Sequence, residues 1–225
     1  MYKYKFTVVT NRNEKTKIQS RKKLFCQRSM MMSSILLVDD NIDLVELYTI
    51  VLTRNGYKTM AAFGGEECLT LLKASTPNLI LLDIMMEPMD GWETLTRIRS
   101  DIKTQSIPVI MVTGKKPTWD EVRSHMHDIE DYVVKPLTVA ALSDLVKSFL
   151  SRQQIVEHEI AVAKVAGADE VTLNEYRQVR RSLSAGSTMQ RIIGQREENI
   201  EITLKTLMGR LQSLRHQYGI TVPAG

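Results

Sequence analysis

Three unbroken apolar runs constrain this chain more than any other feature: "ILLV" at 35–38, "LILL" at 79–82 and "VIMV" at 109–112. A strand apolar on both faces must be covered on both, as in a parallel sheet with helices packed on each side. Two weaker runs, "KTMAA" at 58–62 and "YVV" at 132–134, complete a set of five. Between them lie stretches of helical periodicity: Asp43–Arg54, Glu66–Ala74, Trp92–Arg99, Thr118–Ile129 and a helix opening at Thr138. In the first of these, Leu44, Leu47, Tyr48, Val51 and Leu52 share one buried helical face. Asn55-Gly56 and Gly64-Gly65 supply stop and turn chemistry. Five strands alternating with five helices predict an α/β domain at residues 33–150. Its sheet is five-stranded, parallel and doubly wound (flavodoxin-like), with ligands bound at the strands' carboxyl ends.

The residues at those ends carry the chemistry. The first strand runs into Asp39-Asp40, the third into Asp83, the fourth into Thr113-Gly114 and the fifth into Lys135-Pro136. Such a sheet brings three carboxylates, a hydroxyl and an ammonium to one rim. Carboxylates so close repel one another, and a hard divalent cation relieves the repulsion; Mg²⁺ takes one or two carboxylates together with water and phosphate oxygens. A lone Asp at a strand end is ordinarily a helix cap or a turn residue. Their joint occurrence at four strand ends points instead to a phosphoryl site.

With these residues in place, the sequence resembles the receiver domain of the two-component response-regulator family. The resemblance rests on the Asp39-Asp40 pair, Asp83 in "LILLDIMMEPMDG", Thr113 in "VIMVTG" and Lys135 in "DYVVKP". It implies that Asp83 is the phosphoacceptor and that a sensor histidine kinase is the donor. Asp40, with Asp39 directly or through water, would hold Mg²⁺ together with Asp83 and the backbone carbonyl of Met85. Lys135 would pair with the phosphoryl group, Thr113 would move to bond it, and Tyr132 would turn inward as the second switch residue. The output face implied is the fourth and fifth strands with the helices that follow them. Two places depart from the commonest pattern: Glu87 stands where a proline is usual, with Pro88 one position on, and Met85 is apolar two residues after the phosphoacceptor. An apolar Met85 could hinder the water that hydrolyses an acyl phosphate, or could simply be loop packing.

Charge is informative once it is located. The net +4 of the chain hides a split: residues 1–32 carry nine Lys or Arg against Glu14 alone, leaving 21 basic and 25 acidic side chains for the other 193 residues. With so little apolar surface, residues 1–32 read as a basic, disordered extension. Met30, Met31 and Met32 offer alternative starts just before the first strand, so residues 1–30 read as an upstream extension of the gene model, with a nucleic-acid-binding arm as the alternative. Cys26 and Cys68 are too few for a disulfide framework, which suits a reducing cytoplasm. No apolar run approaches the roughly 18 residues that span a bilayer, so no membrane partner is expected.

Residues 151–225 read as an all-helical C-terminal region: a connecting helix that breaks near "AGAD", 166–169, and then two or three short helices. The latter are expected at Leu173–Leu183, Thr188–Ile193 and Asn199–Gln217, with a turn at Ala185-Gly186-Ser187 and Asn199 as a cap. Arg152 and Glu159 interrupt the apolar stripe of the connecting helix, against a long coiled coil. Residues 171–221 hold eight basic side chains against four acidic ones, and their outline loosely resembles a LuxR-type helix-turn-helix. On that reading Thr203, Lys205 and Arg210 face DNA, although Glu197 and Glu198 sit badly against phosphate. The other reading is a docking or homodimerisation module. His158 reads as an exposed helical side chain, and His125 with His127 lack a third zinc ligand. No second catalytic constellation follows residue 150, so no separate enzymatic domain is expected.

Overall fold

The structure, a computed structural model, describes residues 33–194 and 197–221. The reading of residues 1–32 as a disordered extension lies outside the described residues. Five strands alternate with helices: β1 (Ser34–Val38), α1 (Ile42–Arg54), β2 (Lys58–Ala62), α2 (Gly65–Ala74), β3 (Leu79–Leu82), α3 (Gly91–Ser100), β4 (Val109–Thr113), α4 (Trp119–His125) and β5 (Asp131–Val134). Three longer helices follow: α5 (Val139–Val165), α6 (Glu170–Ile193) and α7 (Glu198–Gln217). All strand pairs are parallel, in the order β2-β1-β3-β4-β5, with Leu36 opposite Met60 and Ile80, and Ile80 opposite Val109. The expected doubly wound α/β architecture is borne out.

Alternation along each strand divides the core. Ile35, Leu37, Leu79, Leu81, Ile110 and Val112 point towards α1 and the first half of α5. Leu36, Ile80, Leu82, Val109 and Met111 point towards α2, α3 and α4. Side chains one residue apart on a strand face opposite sides of the sheet, so a continuous apolar run serves both layers. Caps set the helix starts. Asn41 Oδ1 accepts from Leu44 N, Asp90 Oδ1 from Glu93 N, and Asp169 Oδ1 from Thr172 N, while Thr118 and Glu121 form a reciprocal capping box on α4.

The C-terminal region differs from its sequence reading. The helix called Leu173–Leu183 does not stop at Ala185-Gly186-Ser187; α6 runs unbroken through these residues to Ile193. Gly186 is buried, and a Cβ there would stand 3.0 Å from Leu204 Cδ2 and 3.4 Å from Met126 Sδ. Small residues at 185 and 186 allow α6 to approach α7 and α4, which is a packing role and not a turn. The bend comes later, at Gly194, whose φ of 75° caps α6 in the left-handed region. One long helix therefore replaces the expected Leu173–Leu183 and Thr188–Ile193, whereas the helix expected at Asn199–Gln217 is found as α7, with Glu197 and not Asn199 at its N-cap position. Glu159, which interrupts the apolar stripe of α5, does not face water. It is buried, and its carboxylate accepts from Tyr176 Oη at 2.8 Å and Arg215 Nη2 at 2.7 Å. Around it Val156, Ile160, Leu173, Tyr176, Leu211 and Leu214 form a further core of α5, α6 and α7.

Candidate functional site

The rim at the strands' carboxyl ends is laced together by backbone. Asp39 N donates to Ala62 O, Asp83 N to Val38 O, and Lys135 N to Thr113 O, extending the sheet ladder one residue past each strand. The ladder therefore carries Asp39, Asp83, Thr113 and Lys135 to one place, although 96 residues separate Asp39 from Lys135. Lys135 Nζ donates to Asp39 Oδ2 at 2.6 Å and to Asp83 Oδ2 at 2.8 Å. One carboxylate oxygen each of Asp39, Asp40 and Asp83 lies within 4.8 Å of the others. Asp39 and Asp83 are buried, whereas Asp40 is exposed at the mouth.

Each group is oriented by its neighbours. Asp39 Oδ1 accepts from Asn41 N at 3.0 Å, so the residue that caps α1 also holds the first carboxylate. Asp83 Oδ1 accepts from Met85 N at 3.2 Å. Burial raises the Asp39 carboxyl above its ordinary value, outweighing the bonds from Lys135 and Asn41. Burial alone would lower Lys135, but its bonds to Asp39 and Asp83 hold the ammonium above its ordinary value. Met85 is exposed, and its sulfur comes within ordinary contact distance of a Cβ built on Gly114, so the side chain leans from one loop of the mouth towards the other.

Thr113 is fully buried at the end of β4, and its Oγ1 accepts from Lys115 N at 3.3 Å. Tyr132 faces inward, with its hydroxyl donating to the Lys115 carbonyl at 2.8 Å. Lys115 Nζ pairs with Glu121 at 2.6 Å, and the same Glu121 oxygen accepts from Trp92 Nε1 at 3.1 Å. The Trp92 ring stacks on His125, with centroids 4.1 Å apart. Burial works against the Glu121 carboxylate, yet the donors Lys115, Thr118 and Trp92 together hold it below its usual range. These residues join Thr113 to α4 through bonded groups, and α6 packs on the same side. Arg123 pairs with Glu197 at 2.5 Å, Arg181 with Glu130 at 2.7 Å, and His127 Nδ1 lies 2.7 Å from Ser182 Oγ. Ala185, Met189 and Ile200 are buried in one cluster with Met126 and Tyr132.

Sequence reasoning missed Lys115, Glu121 and Trp92, whose roles depend on contacts between α3, the β4–α4 loop and β5. It also missed Gly91, where any Cβ would collide with the Asp83 carbonyl oxygen and stand 2.7 Å from Ile84 Cα. The signal for Gly91 was its place directly after the α3 cap Asp90. Of the three residues read as facing DNA, Thr203 and Arg210 lie seven apart and share a face of α7, and Lys205 lies on another. Thr203 and Lys205, two apart on α7, are about 200° apart around the helix. Thr203 Oγ1 donates to Asn199 O, and Arg210 makes two bonds to Glu175 at 2.5 and 2.7 Å; Lys205 is exposed.

Comparison with known proteins follows the same boundary. The family model of the response regulator receiver domain matches residues 35–147. A transcriptional regulatory protein of Streptomyces coelicolor, AfsQ1, is 35% identical over 121 residues, covering 54% of this chain and 52% of its own length. The DNA-binding response regulator MtrA of Mycolicibacterium smegmatis is 35% identical over 124 residues, covering 55% of this chain and 53% of its own. The chain thus spans about half the length of the curated relatives it matches. Among solved structures, the N-terminal domain of a response regulator receiver protein from Methanoculleus marisnigri is 48% identical. That match covers 52% of this chain and 94% of that one, with a TM-score of 0.45.

Proposed function

Because this chain belongs to the response regulator receiver family, we propose that Asp83 accepts a phosphoryl group from the phosphohistidine of a sensor histidine kinase. The helical region after residue 150 then relays the signal as a protein-interaction or dimerisation module. One observation carries the reading: the Lys135 ammonium bridges Asp39 and Asp83, with Asp40 alongside. In the transfer, a carboxylate oxygen of Asp83 forms the new O–P bond as the P–N bond of the donor breaks, and the imidazole keeps the electron pair. Lys135 stands where it can exchange Asp83 for a phosphoryl oxygen, as a point charge does.

Three carboxylates against one ammonium leave two negative charges, and an all-oxygen donor set suits a small hard divalent ion. Asp39, Asp40 and Asp83, with the Met85 carbonyl, would hold Mg²⁺. Bound there, the ion neutralises charge on the phosphoryl oxygens. Phosphorylation adds nearly two negative charges. Thr113 Oγ1, which accepts from Lys115 N, would turn to donate its proton to a phosphoryl oxygen, and Lys115 would carry the change to Tyr132 and, through Glu121, to α4. The α6–α7 pair lies against that face, so its position is biased by differential bonding at Thr113.

No helix of the described residues is long and apolar enough to cross a membrane. We place the protein in the cytoplasm, where burial keeps the Cys68 thiol, pushed up to about 12, unreactive. A second reading, a phosphorylation-controlled transcription factor, is favoured by the names of the two relatives. Against it, Arg210 is committed to Glu175, and Lys205 lies on a different face of α7 from Thr203 and Arg210. The deciding experiment is labelling with a kinase or acetyl phosphate. Asp83→Asn is expected to abolish it and Asp39→Asn to retain some, whereas unchanged labelling in Asp83→Asn overturns the assignment. Salt-dependent DNA binding that strengthens on phosphorylation would favour the transcription factor.

A further inference from the structure

The strands' amino ends open onto a second cleft, on the opposite side of the sheet from the carboxylates. It is a cavity of about 1040 Å³ between the loops that enter β1, β3, β4 and β5 and the helices α5, α6 and α7. Its charged lining is unusual: Arg152, Arg177, Arg180, Arg181 and Arg215, with no lysine, against Glu130 and Glu157. Arginine in place of lysine is what planar, bidentate recognition of phosphate or carboxylate requires.

Nearby carboxylates engage these guanidiniums unequally. Arg181 is tied to Glu130 at 2.7 Å, and Arg215 to Glu159 at 2.7 Å; both are largely sequestered. Arg180 is 3.8 Å from Glu159, a carboxylate already bonded to Tyr176 and Arg215, and Arg152 is 3.5 Å from Asp131. Arg177 donates to the neutral amide oxygen of Asn174. Arg177, Arg180 and Arg181 also stand three and four residues apart on one face of α6, where like charges destabilise a helix. Behind Arg181 lies Arg99, which spends its donors on the carbonyls of Gln105, Ile107 and Asp128 and is lowered to about 10 by burial and by the charge of Arg181. A repelling group of guanidiniums facing a cavity has the chemistry of an anion site. The uncharged lining mixes polar side chains, among them Thr76, Asn78 and Gln153, with the apolar Pro77, Ile107, Pro108 and Leu211.

We propose that this cleft binds a phosphorylated small molecule, with its phosphates on Arg152, Arg177 and Arg180 and its organic part on Ile107, Pro108 and Leu211. The volume is slightly above the usual range for small-ligand pockets, and a cleft walled by three helices and four loops does not suit a nucleic-acid duplex or a membrane. Residues 1–32, which join the described chain at Ser33 on the cleft's rim, carry the wrong charge to fill it. The proposal does not depend on the reading of Asp83.

The test is calorimetric titration of the full chain, without divalent cations, using ATP, inorganic pyrophosphate and adenosine as probes. ATP and pyrophosphate are expected to bind and adenosine not to, with affinity falling as salt is raised. The double variant Arg177→Gln/Arg180→Gln is expected to weaken ATP at least tenfold while leaving acetyl-phosphate labelling of Asp83 unchanged. Arg152→Gln, on a half-exposed side chain whose loss leaves the packing intact, is expected to weaken pyrophosphate at least threefold. Absence of binding by both phosphate probes at millimolar concentration overturns the proposal. So does adenosine binding as tightly as ATP, or affinity unchanged in both Arg variants.

Discussion

A methyl group at residue 91 has nowhere to go: the Asp83 carbonyl and Ile84 Cα occupy its place, and Gly91 N donates to Ile84 O at 3.0 Å. The loop carrying Asp83 is thereby clamped onto the start of α3. Gly91→Ala is expected to destabilise the protein by about 1–3 kcal/mol through overpacking and to slow labelling of Asp83, measured by denaturant unfolding and by the labelling rate. Met85 acts at the same scale from the other side of the site. Its exposed side chain leans towards Gly114, and on the proposed function it would limit the approach of water to an acyl phosphate on Asp83. Met85→Asn is expected to shorten the lifetime of the phosphorylated protein; an unchanged half-life would mean that Met85 is only loop packing.

Helix α4 joins the site to the rest of the molecule. Its N-terminus is fixed by the Thr118–Glu121 capping box, and its last residue, His125, stacks on Trp92. A helix C-terminus favours a protonated histidine, but burial lowers the His125 imidazole below the ordinary histidine value of about 6.5. The unfolded chain then binds the proton more readily than the folded one, so the contribution of His125 is complete above about pH 6.5 and is lost as pH falls through its folded value. Melting temperature is expected to drop between pH 7.5 and 5.5, and to drop less in His125→Gln. On the facing element, Gly186 touches Leu204 and Met126 with no room to spare. Gly186→Leu is expected to wedge α6 from α4, increasing hydrogen exchange at α6 and β5 while leaving the helical circular dichroism nearly unchanged.

The receiver core and the C-terminal helices are physically continuous at the level of the whole molecule. One cluster runs from the sheet through Met126 and Tyr132 to Ala185, Met189 and Ile200, and a second joins α5, α6 and α7 around Glu159. Replacing Glu159 by Gln keeps a partner for Tyr176 but leaves Arg215 without its counter-charge in a mostly buried position. Breaking such a pair from one side costs on the order of 3 kcal/mol. Glu159→Gln is expected to make α7 sensitive to trypsin at denaturant concentrations where the fluorescence of Trp92 and Trp119, both on the receiver, is still native.

The sequence by itself determined the sheet, its parallel order of elements and the rim residues Asp39, Asp40, Asp83, Thr113 and Lys135. A continuous apolar run marks a doubly covered strand, and in a parallel sheet every run ends on the same side, so the residue after each run is placed without knowledge of any side-chain contact. Only the tertiary structure decided the course of the last third. Gly186 reads as a turn until Met126 and Leu204 are seen against it, and Glu159 reads as a break in the apolar stripe of α5 until Tyr176 and Arg215 close over it. Local propensity describes a residue's own neighbours in the chain. The clamp at Gly91, the burial of Glu159 and the arginine cleft at the sheet's amino ends arise where segments dozens of residues apart are packed together.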